Sequence, residues 1–465
     1  MISRIIWRCA LPDTRNSITE MFWKIFANQN RKKVQEFKKY MDKFAISFNL
    51  YKDGNFIERS LPFDVIPRIM TAKEFHTLEK GLSQRIKALN LFLEDLYTTK
   101  NIIKDKIIPE TFIYEAKGYL KELEGFSPPQ KLRTHINGID LVKDSVSNEW
   151  IILEDNLRVP SGASYPLSIR NTFRKIYPDF FEKMSIKPIK GYADLLIESM
   201  QYVNCGGINV VLTPGRYNSA YYEHAYLAEI TGAQLVRNNE LIVENKVVYF
   251  KNYNGEKIKV GAIYRRLDDE FLDPTFFNEE SLIGVSGIME AYLAGNVAIM
   301  NAPGNGIADD KGIYYFVPDM IEYYLKEEPI LKNAPTYLPY FEKDKKYIFE
   351  NMKKLVIKDV AEAGGYGVMF GHTMSEIQLQ DLKTIIEANP RRFIAQELIE
   401  FYDEECYIND EIVPRKADFR AYVVMSKEPK VWSCGLTRYA VDAGNYLVNS
   451  SQGGGFKDTW VVEEA

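Results

Sequence analysis

"WIILEDNLRVPSG", residues 150–162, is the stretch on which the reading of the fold turns. Trp150, Ile151, Ile152 and Leu153 are apolar, and Glu154, Asp155, Asn156 and Arg158 follow without a break. The first half has the composition of a core strand. The second half loads two carboxylates, an amide and a guanidinium onto its end. Side chains alternate along an extended strand, so Glu154 and Asn156 share one face and Asp155 takes the other, where a structural role is expected. Just upstream, GIDLVKD (residues 138–144) reads as a second strand, and polar SVSNE (145–149) as the turn between them. That pairing sets Asp140 opposite Glu154. Three oxygen donors, Asp140, Glu154 and Asn156, then converge as a hard cation such as Mg²⁺ requires. A solvated strand end accounts for the same residues, and the stretch alone leaves both readings open.

Working outward, 465 residues are too many for one core, and two to four domains are expected. Hydrophobic residues at 46% and charged residues at 26% are those of a soluble globular chain. Lys plus Arg (59) nearly balance Asp plus Glu (64), so no basic field exists to make nucleic acid the main ligand. Cys9, Cys205, Cys406 and Cys434 show no paired spacing, which fits a reducing cytoplasm and gives neither a disulfide framework nor a zinc site. The apolar run of MISRIIWRCALP is too short for a signal peptide or a membrane span. A cytoplasmic protein without membrane contact is expected.

Residues 1–115 read as a mainly helical region, with apolar residues at three- and four-residue spacing in 18–44 and 72–100 and a hairpin with a DGN turn between them. Residues 116–204 carry the two strands above. Residues 205–331 repeat strand, Gly/Pro/Asn loop and helix: GINVVLTPG, then AQLV, then KVGAIYRRLDDEF, then NVAIMNAPGNGIADDK. That rhythm describes a small parallel α/β unit, whose ligand-facing loops lie at the carboxyl ends of its strands. YNSAYYEH, RRLDDEF and PGNGIADDK would share one crevice there. Tyr217, Asn218, Ser219, Glu223, His224, Arg265, Arg266 and Asp268 would give it a mixed-charge lining suited to a zwitterion or a carboxylate. His224 taken alone also reads as a structural histidine. Residues 332–465 read as an α+β segment.

In that last segment Lys358 ends an apolar strand, and Gly364, Gly365 and Gly367 form a turn that could lay N–H groups over phosphate oxygens, or serve as a plain hairpin. Gln396 and Glu397 end another apolar strand. They could meet an adenine amino group or mark a hinge. Arg420 and Arg438 would neutralise charge in a phosphate site, or form strand-face ion pairs with neighbours such as Asp418. Ser451, Gln452 and Gly453 lie in NSSQGGGFKDTW, either an ordered ligand loop or a loose tail. No Ser-His-Asp order and no Cys-His pair is evident.

Taken in order, LEDNLRVPSGASY, YNSAYYEHAYLA, IYRRLDDEFLDP, AGNVAIMNAPGNGIADDK, FVPDM, IKDVAEAGGYG and NSSQGGGFKDTW resemble the circularly permuted ATP-grasp family, relatives of glutathionylspermidine synthetase and glutathione synthetase. The resemblance implies an α+β fold holding ATP between two subdomains, with an inserted pre-ATP-grasp-like α/β substrate domain. It implies Mg²⁺ on Asp140, Glu154 and Asn156, and Arg158 on phosphate or acyl phosphate. Lys358 would hold the α- and β-phosphates, with the 364–367 loop over the γ-phosphate. Gln396, Glu397 and Leu398 would lie at the adenine, and Lys311 would be a further nucleotide or substrate contact. Asp359 departs from the pattern, where Pro is expected after the lysine. The implied reaction joins a small-molecule or peptide carboxylate to an amine. A nucleotide-binding partner without turnover, or a small-molecule kinase, would use the same phosphate chemistry.

Overall fold

A computed structural model of the chain describes residues 17–26, 31–43, 47–52, 55–60, 62–360, 367–448 and 454–464. Its longest helix, Ala72–Tyr97, starts where the Thr71 hydroxyl accepts the Glu74 amide at 3.1 Å. Leu78, Leu82, Ile86, Leu89, Leu93 and Leu96 then recur at three- and four-residue intervals and are fully buried. That stripe packs against the helix Val317–Leu325 and the strands Glu411–Met425 and Pro429–Tyr439. The expected hairpin near the N-terminus is present as Ser47–Lys52 paired antiparallel with Asn55–Ser60. The Asp53–Gly54 part of its turn lies outside the described residues.

A seven-stranded sheet forms the centre. Its order is Lys332–Asn333, Trp150–Asn156, Ile136–Lys143, Glu411–Met425, Pro429–Tyr439 and Gly455–Lys457, with Asp403–Ile408 also paired to Glu411–Met425. The strands Ile136–Lys143 and Trp150–Asn156 pair antiparallel, with Asp140 opposite Glu154 and Gly138 opposite Asn156. The register slips between Asp140 and Leu141, because Leu141 pairs with Ile152. Leu153 is the extra residue of this bulge, which re-aims the strand end where the polar residues begin.

A separate four-stranded antiparallel sheet has the order Thr336–Tyr337, Phe393–Glu397, Leu355–Asp359 and Val368–Phe370. Leu355, Ile357, Phe393 and Ala395 point to one face, where they join Ile348, Leu379, Leu382 and Ile386 of two covering helices in a core of their own. Alternation therefore sends Val356, Lys358 and Gln396 to the opposite face. The helix Glu376–Ala388 opens with a capping box between Ser375 and Gln378.

The expected parallel unit is also present. Gln234–Val236, Ile208–Leu212, Lys257–Arg265 and Ala298–Met300 lie side by side in that order, all parallel. Beyond it, an unanticipated antiparallel hairpin, Leu241–Glu244 with Val247–Lys251, extends the sheet from the first half of Lys257–Arg265. Among the described residues, no helix is long and apolar enough to cross a membrane, and Cys205, Cys406 and Cys434 are free thiols.

Candidate functional site

The polar face of the four-stranded sheet lies over the end of the seven-stranded sheet, and a narrow cleft runs between them. From the first sheet come Val356, Lys358, Val368, Phe370, Gln396, Glu397 and Leu398; from the second, Asp140, Leu153, Glu154, Asp418 and Arg438; Lys311 joins them from a helix start. The lining thus combines apolar side chains with the charged groups of Asp140, Glu154, Lys311, Lys358 and Arg438.

Lys358 is nearly buried. Burial pulls its ammonium down to about 8, helped by Lys311 and opposed by Glu154 and Asp140. A partly desolvated cation of this kind gains more from a phosphate than one in open water.

Asp140 is 2% exposed. It accepts Arg420 Nε at 2.6 Å and Arg420 Nη2 at 2.8 Å, and Arg438 Nη2 at 2.8 Å. Burial opposes its ionisation, but the two guanidiniums outweigh it and hold the carboxyl far below its usual range. Arg438 also grips Asp418, its cross-strand partner. Arg420 and Arg438 thus stand in cross-strand ion pairs, which bring them to the same carboxylate.

Among the described residues, no group of three or more His, Cys, Asp or Glu side chains is placed to hold a metal. The candidate set is a carboxylate pair plus an amide. Asp140 and Glu154 face each other across the register, and Asn156 follows Glu154 on the same face of its strand, with an amide oxygen as its donor atom toward a cation. Each carboxylate oxygen can accept more than one contact, so Asp140 keeps capacity beside its arginines. Hard oxygen donors with spare lone pairs fit a Mg²⁺-class ion.

Asp155 takes the opposite face. It accepts Arg85 Nε at 2.7 Å and Arg85 Nη2 at 2.6 Å, and neither side chain is exposed beyond 1%.

A larger cavity of about 1130 Å³ adjoins the cleft and shares Glu154 and Lys311 with it. Asn156, Arg158, Asp268, Asp269, Glu270, Asp309 and Asp310 line it further. Two of the three loops expected to form a crevice, RRLDDEF and PGNGIADDK, do meet there. The third does not line the cavity. Tyr217 is 72% exposed, Asn218 caps the Ala220 amide at 2.9 Å, and Ser219 sits between them.

Four expected lining residues are corrected by their burial. Glu223 accepts Gly162 N at 2.7 Å, Ser164 N at 3.1 Å and Arg266 Nη2 at 3.1 Å. Arg266 also donates to Pro160 O at 3.0 Å, and Arg265 to Asn301 O at 2.8 Å. His224 meets Thr213 Oγ1 at 2.8 Å, and burial pushes its imidazole down to about 2. These side chains are spent on fixing loops to one another. Glu397 borders the cleft as well, and its Oε1 accepts Tyr347 OH at 2.6 Å and Tyr337 OH at 3.2 Å. Gln396 faces the cleft and donates to Thr336 Oγ1 at 3.1 Å.

Gly364, Gly365, Ser451, Gln452 and Gly453 lie outside the described residues. Gly367 takes φ +71°, a conformation open to glycine, at the start of the strand Val368–Phe370.

Sequence reasoning passed over Asn301 and Asp309, although both lie in the NAPGNGIADDK motif it had singled out. Asn301 Oδ1 accepts the Ile136 amide at 2.9 Å, and its Nδ2 donates to Ile136 O at 2.7 Å and also to Leu157 O. One amide thereby staples the start of the Asp140 strand to the end of the Glu154 strand.

Comparison with known proteins adds the following. Residues 67–440 match the family described as circularly permuted ATP-grasp type 2. An uncharacterised protein of Synechocystis is 45% identical over 90% of this chain and 88% of its own length. A Frankia casuarinae protein with the provisional name glutamate–cysteine ligase 2-2 is 35% identical over 88% of this chain, which spans 48% of that protein. The solved structure of a glutathione synthetase-like effector from Globodera pallida shares the fold, with a TM-score of 0.61 over 94% of this chain and 99% of that one at 12% identity.

Proposed function

The chain belongs to the circularly permuted ATP-grasp type 2 family, and from that premise we propose that it is an ATP- and Mg²⁺-dependent carboxylate–amine ligase acting through an acyl phosphate. Family and relatives suggest an ATP-dependent amide ligase in the coarser sense. One observation supports the finer reading. Asp140, Glu154, Lys311, Lys358, Gln396, Leu398 and Arg438 border a single cleft, though they come from segments more than 200 residues apart.

In this reading the apolar side chains of the cleft take the base, and Gln396 and Leu398 line its edge. Lys358 binds the phosphates. Asp140, Glu154 and Asn156 hold Mg²⁺, which when bound would neutralise phosphate charge. Glu154 and Lys311 stand where the nucleotide cleft opens into the larger cavity, so the acid and the amine occupy that cavity. An oxygen of the acid attacks the γ-phosphorus, the bond to the β-phosphate oxygen breaks, and ADP leaves. The amine nitrogen then attacks the acyl carbon, phosphate departs with the bonding pair, and the nitrogen loses a proton. Lys358, Arg158 and Arg438 offset the charge on the transferred group, and no protein nucleophile is needed.

The test is ADP release with Mg·ATP across amino acids, polyamines and small peptides, supplied singly and as acid–amine pairs. Amine-dependent ADP formation is expected, lost in Glu154→Ala and Lys358→Ala. ADP formation with no need for an amine would favour a kinase, and AMP as product would exclude the acyl phosphate.

A further inference from the structure

Arg158 follows the proposed metal strand and borders the cavity, yet its direction is set from another part of the fold. Asp309 ends the short turn Asn305–Asp309, after the parallel strand Ala298–Met300. Its carboxylate accepts the Leu157 amide at 2.5 Å, the Arg158 amide at 3.2 Å and Arg158 Nε at 2.9 Å. One carboxylate thus fixes both the main chain beyond Asn156 and the fork of the arginine. The stem of Arg158 also lies flat on this turn: a Cβ added at Gly306 would sit 2.6 Å from Arg158 Cδ. Asp268 is a looser partner, 3.5 Å from Nη1 and 48% exposed. The Arg158 side chain remains 36% exposed, so an edge of the guanidinium still faces the cavity.

We propose that Asp309 is a positioning residue that aims Arg158 at the transferred phosphate; this rests on the phosphate role given to Arg158 above. A guanidinium is rigid and planar, so its value to a phosphate depends on which edge is presented. Asp309 takes the Nε edge, so the end presented to the ligand is the Nη end, where Asp268 is held only loosely at 3.5 Å. The turn after the α/β unit therefore determines the geometry of an arginine that borders the larger cavity.

The experiment compares calorimetric affinities for Mg·AMP-PNP and Mg·ADP, since their ratio isolates contacts to the terminal phosphate and needs no knowledge of the acid or amine. Arg158→Ala is expected to weaken AMP-PNP by roughly 10- to 100-fold, as loss of a charged phosphate contact implies, with ADP little changed. Asp309→Asn should weaken AMP-PNP by roughly tenfold, again sparing ADP, and should add nothing in the Arg158→Ala background. Gly306→Ala, which displaces the arginine stem without touching the carboxylate, should reproduce Asp309→Asn and serves as the decisive variant if Asp309→Asn does not fold. An additive double variant, equal losses for ADP and AMP-PNP, or wild-type ratios in Asp309→Asn or Gly306→Ala would overturn the proposal. A wild-type ratio in Arg158→Ala would instead overturn the phosphate role of Arg158 itself.

Discussion

Arg420 and Asp140 stand opposite one another on adjacent strands and share two hydrogen bonds, Nε to Oδ1 at 2.6 Å and Nη2 to Oδ2 at 2.8 Å. Arg438 reaches the same Oδ2 from the next strand, at 2.8 Å. The carboxylate proposed to hold the metal is thus kept ionised and fixed before any ligand arrives. Removing it leaves the largely buried Arg420 guanidinium without its carboxylate and Arg438 with Asp418 alone. Asp140→Ala is expected to lose about 3–5 kcal/mol of stability in urea denaturation. A variant as stable as the parent would show that the pair is not anchored as the geometry requires.

Glu154 and Asp155 are neighbours with opposite assignments. Glu154→Gln should leave stability within about 1 kcal/mol while weakening Mg·ATP binding roughly tenfold or more, the equivalent of one charged contact. Asp155→Ala breaks the buried pair with Arg85 and should cost about 3–5 kcal/mol, with nucleotide affinity unchanged where the variant is folded. Denaturation and calorimetry on both variants check this, and a reversed pattern would refute the face assignment.

Lys358 gives a pH signature. Burial lowers its folded-state value to about 8, against about 10.4 for an unfolded lysine. Between those values the unfolded chain binds more protons, so this group makes stability rise with pH over that window and adds no slope below about 8. Phosphate binding runs the other way, because it needs the charged form. ATP affinity should fall as pH rises through about 8, and Lys358→Arg should flatten the profile, since a guanidinium stays protonated there. Calorimetry at a series of pH values decides it; an unchanged slope in Lys358→Arg would assign the titration elsewhere.

Glu223 tests the correction to the crevice. Its carboxylate joins the Gly162–Ser164 loop to Arg266, so Glu223→Ala should cost about 3–5 kcal/mol. Exposed Tyr217→Ala should stay within about 0.5 kcal/mol. Thermal melts of the two variants suffice, and a stable Glu223→Ala protein would return the residue to the list of ligand contacts.

Much of this architecture follows from local rules. Alternation along WIILEDN put Asp155 on the core side and Glu154 with Asn156 on the other, and the SVSNE turn set Asp140 opposite Glu154. The recurrence of apolar strands with Gly/Pro/Asn loops gave the parallel unit, because two-residue periodicity and turn chemistry act over a few residues. What local rules could not supply was the destination of each charged group. Arg265, Arg266, Glu223 and His224 have the composition of a ligand crevice, and burial in ion pairs is invisible in composition. Gln396 and Glu397 are adjacent, yet the helix carrying Tyr347 claims one of them. Asn301 and Asp309 lie in a motif that is conspicuous in the sequence, but their partners, Ile136, Leu157 and Arg158, are more than 140 residues away. Strand, face and turn are decided by neighbours along the chain. Which carboxylate steadies which arginine is decided by packing between distant segments, and only the folded structure brings those segments together.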